Sequence, residues 1–325
     1  MGKAVFLFPG QGAQFPGMAL DFLEAGEDLK QLFLLASKVV GRDMIDLLRN
    51  SSADELKRTD LSQPAITLAN LAGAKYLELM GIKPGACAGF SLGEYAALAT
   101  AGVISEEDCL LLVTQRGKAM QEVIDNIQAS GKDPPSIAAV MGLSPSQVEA
   151  LIAEWEKDGL KDLYAANYNS PKQVAISGSA LALDEAEKRF KDAGARRVVR
   201  LQVGAPFHSP LLKEAADIFT KALEKVTFKD PLIPLFSNVT GKKIQSGVEA
   251  KALALRQIVE SVRWTDVEAS LDACIHTSKA ELQPKALLEV GPGKVLQGLW
   301  KDSGSEIHCY GAGTKEEIDK FMEEL

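Results

Sequence analysis

The sequence is poor in the residues that bind metal ions or form disulfides. It contains only three histidines and four cysteines among 325 residues. The cysteines, at positions 87, 109, 274 and 309, are widely spaced and form no Cys-x-x-Cys pair. Metal sites and disulfide frameworks need closer, paired spacings. We therefore expect reduced cysteines that act as small apolar side chains of a cytosolic protein.

Long apolar segments are absent as well. The first apolar run extends only from Ala4 to Phe8 before Pro9-Gly10 interrupts it, which is too short for a signal peptide. No stretch approaches the roughly 18 apolar residues of a transmembrane helix. The sequence thus predicts a cytoplasmic protein that does not partner with a membrane.

Basic residues are fewer than acidic ones. The chain has 36 Lys and Arg against 44 Asp and Glu, a net charge of -8 and an isoelectric point of about 5.2. Proteins that bind nucleic acids need a basic surface to contact the phosphates. The charge therefore excludes nucleic acid as the main partner, although it leaves room for a local basic patch.

The sequence does contain the alternation of strand-like and helix-like segments that is typical of α/β proteins. A chain of 325 residues, 46% of them hydrophobic, can bury a large core in about two domains. The apolar patterns predict short buried strands at 4–8, 86–90, 286–290 and 307–310, and helices at 17–37, 62–80, 92–100, about 105–127 and 314–325.

The middle of the chain has its own pattern, which begins after a Gly- and Pro-containing linker at 130–135. The predicted elements are a strand at 136–141, a helix at 144–157, strands at 163–168 and 173–177, a helix at 180–193 and a strand at 197–203. This β-α-β-β-α-β order is that of a ferredoxin-like unit. We predict a small domain at 130–203 inserted into a large α/β domain formed by 1–129 and 204–325. A single continuous sheet is less favoured, because the two middle strands are close enough to form a hairpin.

The run Gly89-Phe-Ser-Leu-Gly93 matches the Gly-x-Ser-x-Gly motif of serine nucleophiles. It lies between a predicted strand and a predicted helix, which is the context that the motif requires. The glycines allow a sharp turn that exposes the Ser91 hydroxyl. The following N–H, on Leu92, then points towards a developing oxyanion at the helix N-terminus. The motif predicts that Ser91 is a covalent nucleophile.

A nucleophilic serine needs a general base, and the sequence offers three histidines. His208 lies in a loop between a predicted strand and a predicted helix, whereas His276 lies in a helix-like segment and His308 in a short strand. A loop at the junction of two elements favours His208 as the base. A structural histidine at that position is the alternative.

Two glycine clusters fail the tests for nucleotide-binding loops. Gly10-Gln-Gly12 has Phe15 where a dinucleotide fingerprint needs glycine. Gly291-Pro-Gly293-Lys294 lacks the first glycine of a phosphate-binding P-loop. The motifs give no sign of a bound cofactor.

Arg116 lies 25 residues after Ser91, on the next predicted helix. An exposed helical arginine is ordinarily a solvated charge. A buried one more often pairs with a carboxylate through two hydrogen bonds. The sequence leaves both interpretations open.

Several motifs in a fixed order closely resemble the malonyl-CoA:acyl-carrier-protein transacylases and the acyltransferase domains of polyketide synthases. The resemblance extends over almost the whole chain, so it is far more specific than any one motif. The matching segments are Phe8-Pro-Gly-Gln-Gly-Ala-Gln14, Gln63-Pro-Ala65, Gly89-Phe-Ser-Leu-Gly-Glu-Tyr95, Arg116-Gly, Ala166-Asn-Tyr-Asn-Ser-Pro171, Phe207-His-Ser209, Ser237-Asn-Val-Thr-Gly241, Val262-Arg-Trp264 and Glu289-Val-Gly-Pro-Gly293.

The resemblance implies a hydrolase-like large domain with a mostly parallel sheet and an inserted ferredoxin-like small domain. It also implies a serine–histidine pair without an acid, in which Ser91 is the nucleophile and His208 its base. Gln257 matches the position whose main-chain carbonyl orients the histidine. The oxyanion hole and substrate contacts implied by the resemblance are Gln11 with the Leu92 amide, Arg116 on the malonyl carboxylate, and Met120, Phe207, Asn167 and Asn169 around the acyl group.

One residue departs from the family pattern. Phe90 stands beside the nucleophile, where the family usually has histidine. That histidine does not transfer protons in the family, so we expect Phe90 to change packing and polarity without abolishing the chemistry. Phe207 before His208 resembles the malonyl-selective members, which favours malonyl over methylmalonyl.

The resemblance implies an [acyl-carrier-protein] S-malonyltransferase of fatty acid synthesis that acts by a ping-pong reaction. Malonyl-CoA and acyl carrier protein are the expected partners, no cofactor or metal is expected, and we expect a monomer. Because the carrier protein is expected to be acidic, a basic cluster near the small domain is a candidate docking surface, with a solvated charged surface as the alternative. The basic cluster consists of Lys188, Arg189, Lys191, Arg196, Arg197 and Arg200.

Three rival interpretations remain at the level of sequence. A serine esterase or thioesterase of the α/β-hydrolase type would use a late histidine, His276 or His308, and an acid partner. A polyketide acyltransferase that acts in trans would share the chemistry but not the pathway. A non-catalytic scaffold or docking module for carrier protein would lack the covalent step.

Overall fold

The computed structural model describes residues 3–130, 133–201, 205–277 and 286–324. These residues form two separate β-sheets surrounded by helices. The strands are β1 (Lys3–Phe8), β2 (Lys83–Gly89), β3 (Ser136–Met141), β4 (Leu163–Ser170), β5 (Gln173–Gly178), β6 (Arg197–Arg200), β7 (Leu235–Phe236), β8 (Ala286–Glu289) and β9 (Cys309–Gly311).

Helices make up most of the remaining described chain. They are α1 (Glu27–Val40), α2 (Met44–Asn50), α3 (Thr59–Leu79), α4 (Gly93–Thr100), α5 (Glu106–Ala129), α6 (Pro145–Lys157), α7 (Ala180–Asp192), α8 (Lys213–Leu223), α9 (Gly247–Arg256), α10 (Trp264–Thr277), α11 (Val295–Ser303) and α12 (Lys315–Glu324). The α/β class predicted from the alternating pattern is confirmed.

The first sheet is parallel and has the strand order β7-β2-β1-β8-β9. Its central strand β1 is buried from its second residue onward, which explains why its sequence is continuously apolar instead of alternating. The register aligns Phe8 with Gly89 and Leu7 with Glu289. The carboxyl ends of these strands therefore meet at one edge, where ligand sites of parallel sheets form.

Helices cover both faces of the parallel sheet. One face packs against α3 and α5 through a large apolar core that includes Phe6, Phe8 and Phe33. The other face packs against α10 and α11 through a smaller core that contains Trp264 and Trp300. Both sides of the sheet are thus shielded from water, which holds the strand ends rigidly beneath the site.

The second sheet is antiparallel, with the order β4-β5-β3-β6. Its predicted β-α-β-β-α-β element order is present, with α6 and α7 packed on the sheet. Ser144 and Gln147 form a capping box at the start of α6, which explains where that helix begins. Trp155 and Phe190 pack edge to face at 4.6 Å between the two helices, so this unit has a core of its own.

Some predicted boundaries were wrong. The helix predicted at 17–37 is a short 3-10 helix at Leu20–Phe22 followed by α1, because Ala19 and Gly26 have positive φ angles that interrupt a continuous helix. The strand predicted at 307–310 begins at Cys309, so His308 precedes it. The strand predicted at 197–203 ends at Arg200, and its last two residues lie outside the described residues, as do two residues of the linker. Strand β7 was not predicted.

A helix that crosses a membrane must be both long and apolar. None of them has both the length and the hydropathy needed to cross a membrane.

Candidate active site

Ser91 lies in a sharp turn between β2 and α4, at the carboxyl edge of the parallel sheet. Its φ of 50° is in the left-handed region, which residues other than glycine rarely adopt. The turn also requires glycine at two neighbouring positions. A Cβ atom at Gly89 would clash with the main chain of Gly93, and one at Gly93 would clash with the Phe8 carbonyl. The Gly-x-Ser-x-Gly spacing is therefore needed for close packing of the strand, the turn and the helix.

His208 contacts Ser91 directly, although 117 residues separate them. Its Nε2 lies 2.7 Å from the Ser91 hydroxyl oxygen, and its Nδ1 lies 2.8 Å from the main-chain carbonyl of Gln257. Since that carbonyl can only accept, Nδ1 donates the hydrogen bond and Nε2 is left free to accept the serine proton. The main-chain carbonyl of Phe207 accepts a hydrogen bond from Ser177, which ties the histidine loop to β5.

The environment of His208 favours its neutral form. The side chain is 4% exposed. Burial lowers the pKa of His208 to about 4, and the charge of Arg116 acts in the same direction. The hydrogen bond to Gln257 opposes this shift but does not cancel it. The histidine is therefore unprotonated near neutral pH, which is the state in which a general base accepts a proton.

Arg116 projects from α5 and is 2% exposed. Its Nη2 donates to the side-chain oxygen of Gln257 at 3.3 Å, and its guanidinium lies 5.6 Å from the centre of the Tyr95 ring. Within the described part of the chain, its Nε atom has no hydrogen-bond partner and no carboxylate lies within ion-pairing distance of it. Glu94 attracts the guanidinium from farther away but makes no ion pair with it. A buried cation without a carboxylate in direct contact is costly, so this geometry favours binding of an anionic group.

A cavity of about 290 Å³ connects these side chains. It is lined by Gln11, Phe90, Ser91, Arg116, Ile137, Asn167, Asn169, Gln173, Ala175, Leu201, Phe207, His208, Val295 and Leu299. Residues from both sheets contribute, so the cavity lies between the two units. The Oδ1 atoms of Asn167 and Asn169 are buried and have no hydrogen-bond partner within the described ranges.

Met120 was expected to contact the acyl group, but it is not among the residues that line this cavity. It lies one turn after Arg116 on α5, is fully buried, and receives a hydrogen bond from Gln63 at its sulfur.

Gln11 and Leu92 lie where an oxyanion hole is expected. Gln11 lines the cavity next to Ser91, and its side-chain amide donates to Thr59 at 3.2 Å. The Leu92 N–H lies at the start of α4 and has no acceptor among the described residues. An N–H donor beside a nucleophilic hydroxyl can stabilise negative charge on a substrate oxygen.

Phe90 points its ring towards Trp264. The two rings meet edge to face with their centres 5.3 Å apart, and Phe90 also lines the cavity. The side chain at this position therefore supplies an apolar wall next to the nucleophile.

The other two histidines lie elsewhere. His276 is exposed on α10, where its Nδ1 contacts the carbonyl of Asp272. His308 packs against Tyr310 at a ring distance of 4.4 Å. Neither lines the cavity. No three His, Cys, Asp or Glu side chains in the described ranges converge as metal ligands.

Sequence reasoning missed two polar contacts of the turn. Asn238 accepts a hydrogen bond from the Ser91 N–H at 2.6 Å, and Glu94 in turn accepts one from the Asn238 N–H. The available signal was the polar pair Ser237-Asn238 directly after a short apolar run, because such residues follow strand ends in parallel sheets. The two-residue length of β7 obscured that signal.

The chain matches one protein family model, described as "Acyl transferase domain", over residues 5–323. It is 37% identical over 302 residues to the malonyl CoA-acyl carrier protein transacylase of Escherichia coli, covering 93% of each chain. The crystal structure of the corresponding Streptococcus pneumoniae protein superposes with a TM-score of 0.89 at 32% identity, covering 99% of this chain and 100% of that one. A malonyl-transacylase in complex with its type II polyketide acyl-carrier protein superposes with a TM-score of 0.87 at 33% identity, covering 99% and 100%. Given this agreement in sequence and structure, the chain belongs to the acyl transferase domain family, among the malonyl CoA-acyl carrier protein transacylases.

Proposed function

We propose that the protein transfers a malonyl group from malonyl-CoA to the phosphopantetheine thiol of acyl carrier protein through an ester on Ser91. The observation that carries this proposal is the buried Arg116 beside the Ser91–His208 pair, in a cavity without a carboxylate partner for it among the described residues. The names of the relatives support the same donor and acceptor.

The first half-reaction forms the malonyl ester. His208 Nε2 takes the proton of the Ser91 hydroxyl while the oxygen attacks the thioester carbonyl. The negative charge that develops on the carbonyl oxygen is stabilised by Gln11 and the Leu92 N–H. The carbon–sulfur bond then breaks, and the protonated histidine returns its proton to the thiolate of CoA. One donor of this kind contributes roughly 3 kcal/mol to transition-state stabilisation.

The second half-reaction repeats these steps with a different thiol. His208 takes the proton of the phosphopantetheine thiol, whose sulfur attacks the malonyl ester on Ser91. The ester bond breaks, and the histidine returns the proton to the serine oxygen. General base catalysis contributes roughly 10²- to 10⁴-fold to such a step. One thioester is exchanged for another, so the balance needs no oxidant, reductant or metal ion.

Arg116 accounts for the selection of an acyl group that carries its own carboxylate. A planar guanidinium pairs with a carboxylate through two hydrogen bonds. An acetyl group would leave the buried charge unpaired, at a considerable cost in binding free energy. Phe207, Asn167 and Asn169 would complete the acyl site from the second sheet.

We also infer that the second sheet belongs to a ferredoxin-like domain at 130–203, inserted into a hydrolase-like large domain made of 1–129 and 204–325. Support comes from the antiparallel order β4-β5-β3-β6 and the separate core around Trp155. The parallel sheet with a serine turn after β2 supports the comparison with hydrolases.

The acceptor is a carrier protein, and its pathway is open to two interpretations. Malonyl supply for fatty acid synthesis is our proposal, because the relatives carry the transacylase name without a polyketide qualifier. The polyketide alternative is favoured by one solved complex with a polyketide carrier protein.

The test is incubation of the protein with malonyl-CoA labelled in the malonyl group. We expect a label that stays on the protein through gel filtration, maps to Ser91, and is discharged by holo acyl carrier protein. Ser91→Ala should take up no label. Ser179→Ala, which removes a helix-capping serine outside the cavity, should be labelled like the wild type.

Variants of the histidines separate the rival activities. His208→Ala should abolish labelling, whereas His276→Ala and His308→Ala should keep it. A serine esterase that used a late histidine would give the opposite result. A docking module would bind carrier protein without any labelling.

A further inference from the structure

Glu94 is a buried acidic residue that the proposed reaction does not use. It lies in the first turn of α4, three residues after Ser91, and is only 1% exposed. Its Oε2 accepts a hydrogen bond from the main-chain N–H of Asn238 at 2.7 Å. A carboxylate is costly to bury unless hydrogen bonds or charges compensate for lost hydration. The contacts of Glu94 therefore need an explanation.

Asn238 connects Glu94 to the turn that holds the nucleophile. Its Oδ1 accepts from the Ser91 N–H at 2.6 Å, and its Nδ2 donates to the carbonyl of Gly89. The amide thus bridges the turn from the end of β2 to Ser91. Because the Ser91 N–H is used in this way, the Leu92 N–H is the one left to face a substrate oxygen.

Gln257 holds the other side of the same turn. Its side-chain Nε2 donates to the Ser91 carbonyl at 3.1 Å. Its main-chain carbonyl accepts from His208 Nδ1 at 2.8 Å. Gln257 is therefore joined both to the nucleophile and to its base, while Glu94 is bonded to Asn238, which holds the other side of Ser91.

The charges around Glu94 partly compensate for its burial. Burial raises the pKa of Glu94 to about 7, whereas the hydrogen bond from Asn238, the nearby Gln257 amide and the charge of Arg116 lower it. The compensating groups are the same ones that line or support the catalytic pair. The carboxyl group is thus an integral part of the site's hydrogen-bond network.

We propose that Glu94 is a positioning residue that, through Asn238, fixes the main chain of Ser91 against His208. Glu94, Asn238 and Gln257 form the Glu94 cluster, in which Gln257 holds the carbonyl side of Ser91. Ser91 and His208 both have positive φ angles, of 50° and 56°, which cost free energy unless the surroundings hold them in place. The cluster supplies hydrogen bonds on both sides of Ser91 that hold it there.

This proposal rests on Ser91 being the nucleophile, and its test uses two reagents. Malonyl-CoA reports on the whole acylation step. An alkyl fluorophosphonate reacts with activated serines without needing the Arg116 contact. If the wild type reacts with fluorophosphonate at Ser91 but not with malonyl-CoA, the proposed function fails while the positioning role is still measured.

The variants are Asn238→Ala, Glu94→Gln and their double variant. Ser237→Ala is the matched control, because it removes a buried hydrogen bond from the same loop, to the Val239 N–H, without contacting the turn. For Asn238→Ala we expect the rate of Ser91 modification to fall roughly 10²-fold with both reagents, as for other misplaced catalytic groups. The half-saturating concentration of malonyl-CoA should change less than about threefold.

Glu94→Gln keeps the size of the side chain and one acceptor oxygen, so we expect it to fold and to lose roughly tenfold in rate. Residues that act through the same contacts give non-additive effects. The double variant should therefore be no more than about threefold slower than Asn238→Ala. A fluorophosphonate rate within about threefold of the wild type in either single variant would overturn the proposal. Equal losses in Ser237→Ala would overturn it by indicating a general effect on folding. Fully additive losses in the double variant would overturn it by showing that Glu94 and Asn238 act independently.

Discussion

At the scale of single residues, the charge of Arg116 is the feature on which substrate choice depends. The guanidinium is buried, contacts Gln257 and Tyr95, and has one N–H without a hydrogen-bond partner among the residues that the structure describes. Arg116→Ala should lower the rate of malonyl acylation roughly 10²- to 10³-fold, because the substrate carboxylate would be buried without its partner. Acetyl acylation should change little or rise. Acylation rates with malonyl-CoA and acetyl-CoA, measured side by side, check this expectation.

Arg58→Ala is the control for that experiment. Arg58 is exposed and pairs with Asp60, outside the cavity. Its loss should leave both rates unchanged. An Arg116→Ala enzyme that kept the wild-type preference for malonyl would show that another group selects the acyl chain.

The lowered pKa of His208 predicts an unusual pH dependence. With a pKa of about 4, about 90% of the histidine is neutral at pH 5, compared with about 3% at the ordinary pKa of 6.5. The sign follows from burial, which disfavours the charged form. In Glu94→Gln, which removes the titration of that carboxyl group near pH 7, fluorophosphonate labelling of Ser91 should therefore stay near its maximum down to pH 5 and fall only below that.

Arg116 contributes to this shift, which offers a second measurement. Its charge disfavours protonation of His208. The acid limb of the labelling profile should move to higher pH in Arg116→Ala. Circular dichroism at each pH shows whether the protein stays folded. A Glu94→Gln profile with a midpoint near pH 6.5 would mean that His208 is more accessible to water than its burial indicates.

The site also shows which of its residues could be predicted from the sequence and which could not. Ser91 was predictable because its turn is encoded locally, by glycines two residues away on either side. His208 was placed by its loop and by the small number of histidines. Asn238 was missed because its contact to Ser91 joins residues 147 positions apart, and no local pattern encodes that approach.

At the scale of elements, the close packing of β1, the serine turn and α4 sets a limit on substitution. A Cβ atom at Gly93 would clash with the carbonyl of Phe8. Gly93→Ala should therefore push the helix away from the strand, destabilise the protein by about 1–3 kcal/mol and lower serine reactivity. Thermal unfolding and fluorophosphonate labelling together measure both effects.

Gly298→Ala is the matched substitution in a helix with open space. Gly298 is exposed on α11, and a Cβ atom there meets no atom within 4 Å. This variant should be about 0.5–1 kcal/mol more stable than the wild type, because alanine favours helix. If Gly93→Ala were equally harmless, the turn would have room that its contacts do not indicate.

The elements themselves were largely predictable where one signal dominated. The second sheet followed from the order of its strand-like and helix-like segments, which are local features of the sequence. Helix α1 was predicted to start too early. The apolar spacing continues through Ala19 and Gly26, but the positive φ angles of these two residues interrupt the helix. Strand β7 is two residues long and is defined by its pairing with β2. Its formation therefore depends on tertiary contacts, which a local sequence pattern does not show.

At the scale of the whole molecule, the cavity lies between the two sheets, and a carrier protein must reach it from outside. Within the basic cluster, Arg189, Lys191 and Arg200 pair with carboxylates of α7 at 2.9, 2.8 and 2.7 Å. Exposed ion pairs of this kind leave little net positive charge for a partner. Lys188, Arg196 and Arg197 are exposed and have no ion-pair partner among the described residues, so they carry the docking hypothesis.

The hypothesis predicts that charge reversal at Arg196 and Arg197 weakens the second half-reaction alone. In R196E/R197E we expect the KM for acyl carrier protein to rise roughly tenfold at low salt, because charges at the edge of an interface act mainly on association. The difference should shrink as salt screens the charges. Acylation by malonyl-CoA should be unchanged. The control, K315E/K320E, makes the same change in charge on α12, beside the parallel sheet, and should leave both half-reactions at wild-type rates. An unchanged KM in R196E/R197E would assign carrier-protein docking to another surface and leave the basic cluster as a solvated part of the small sheet.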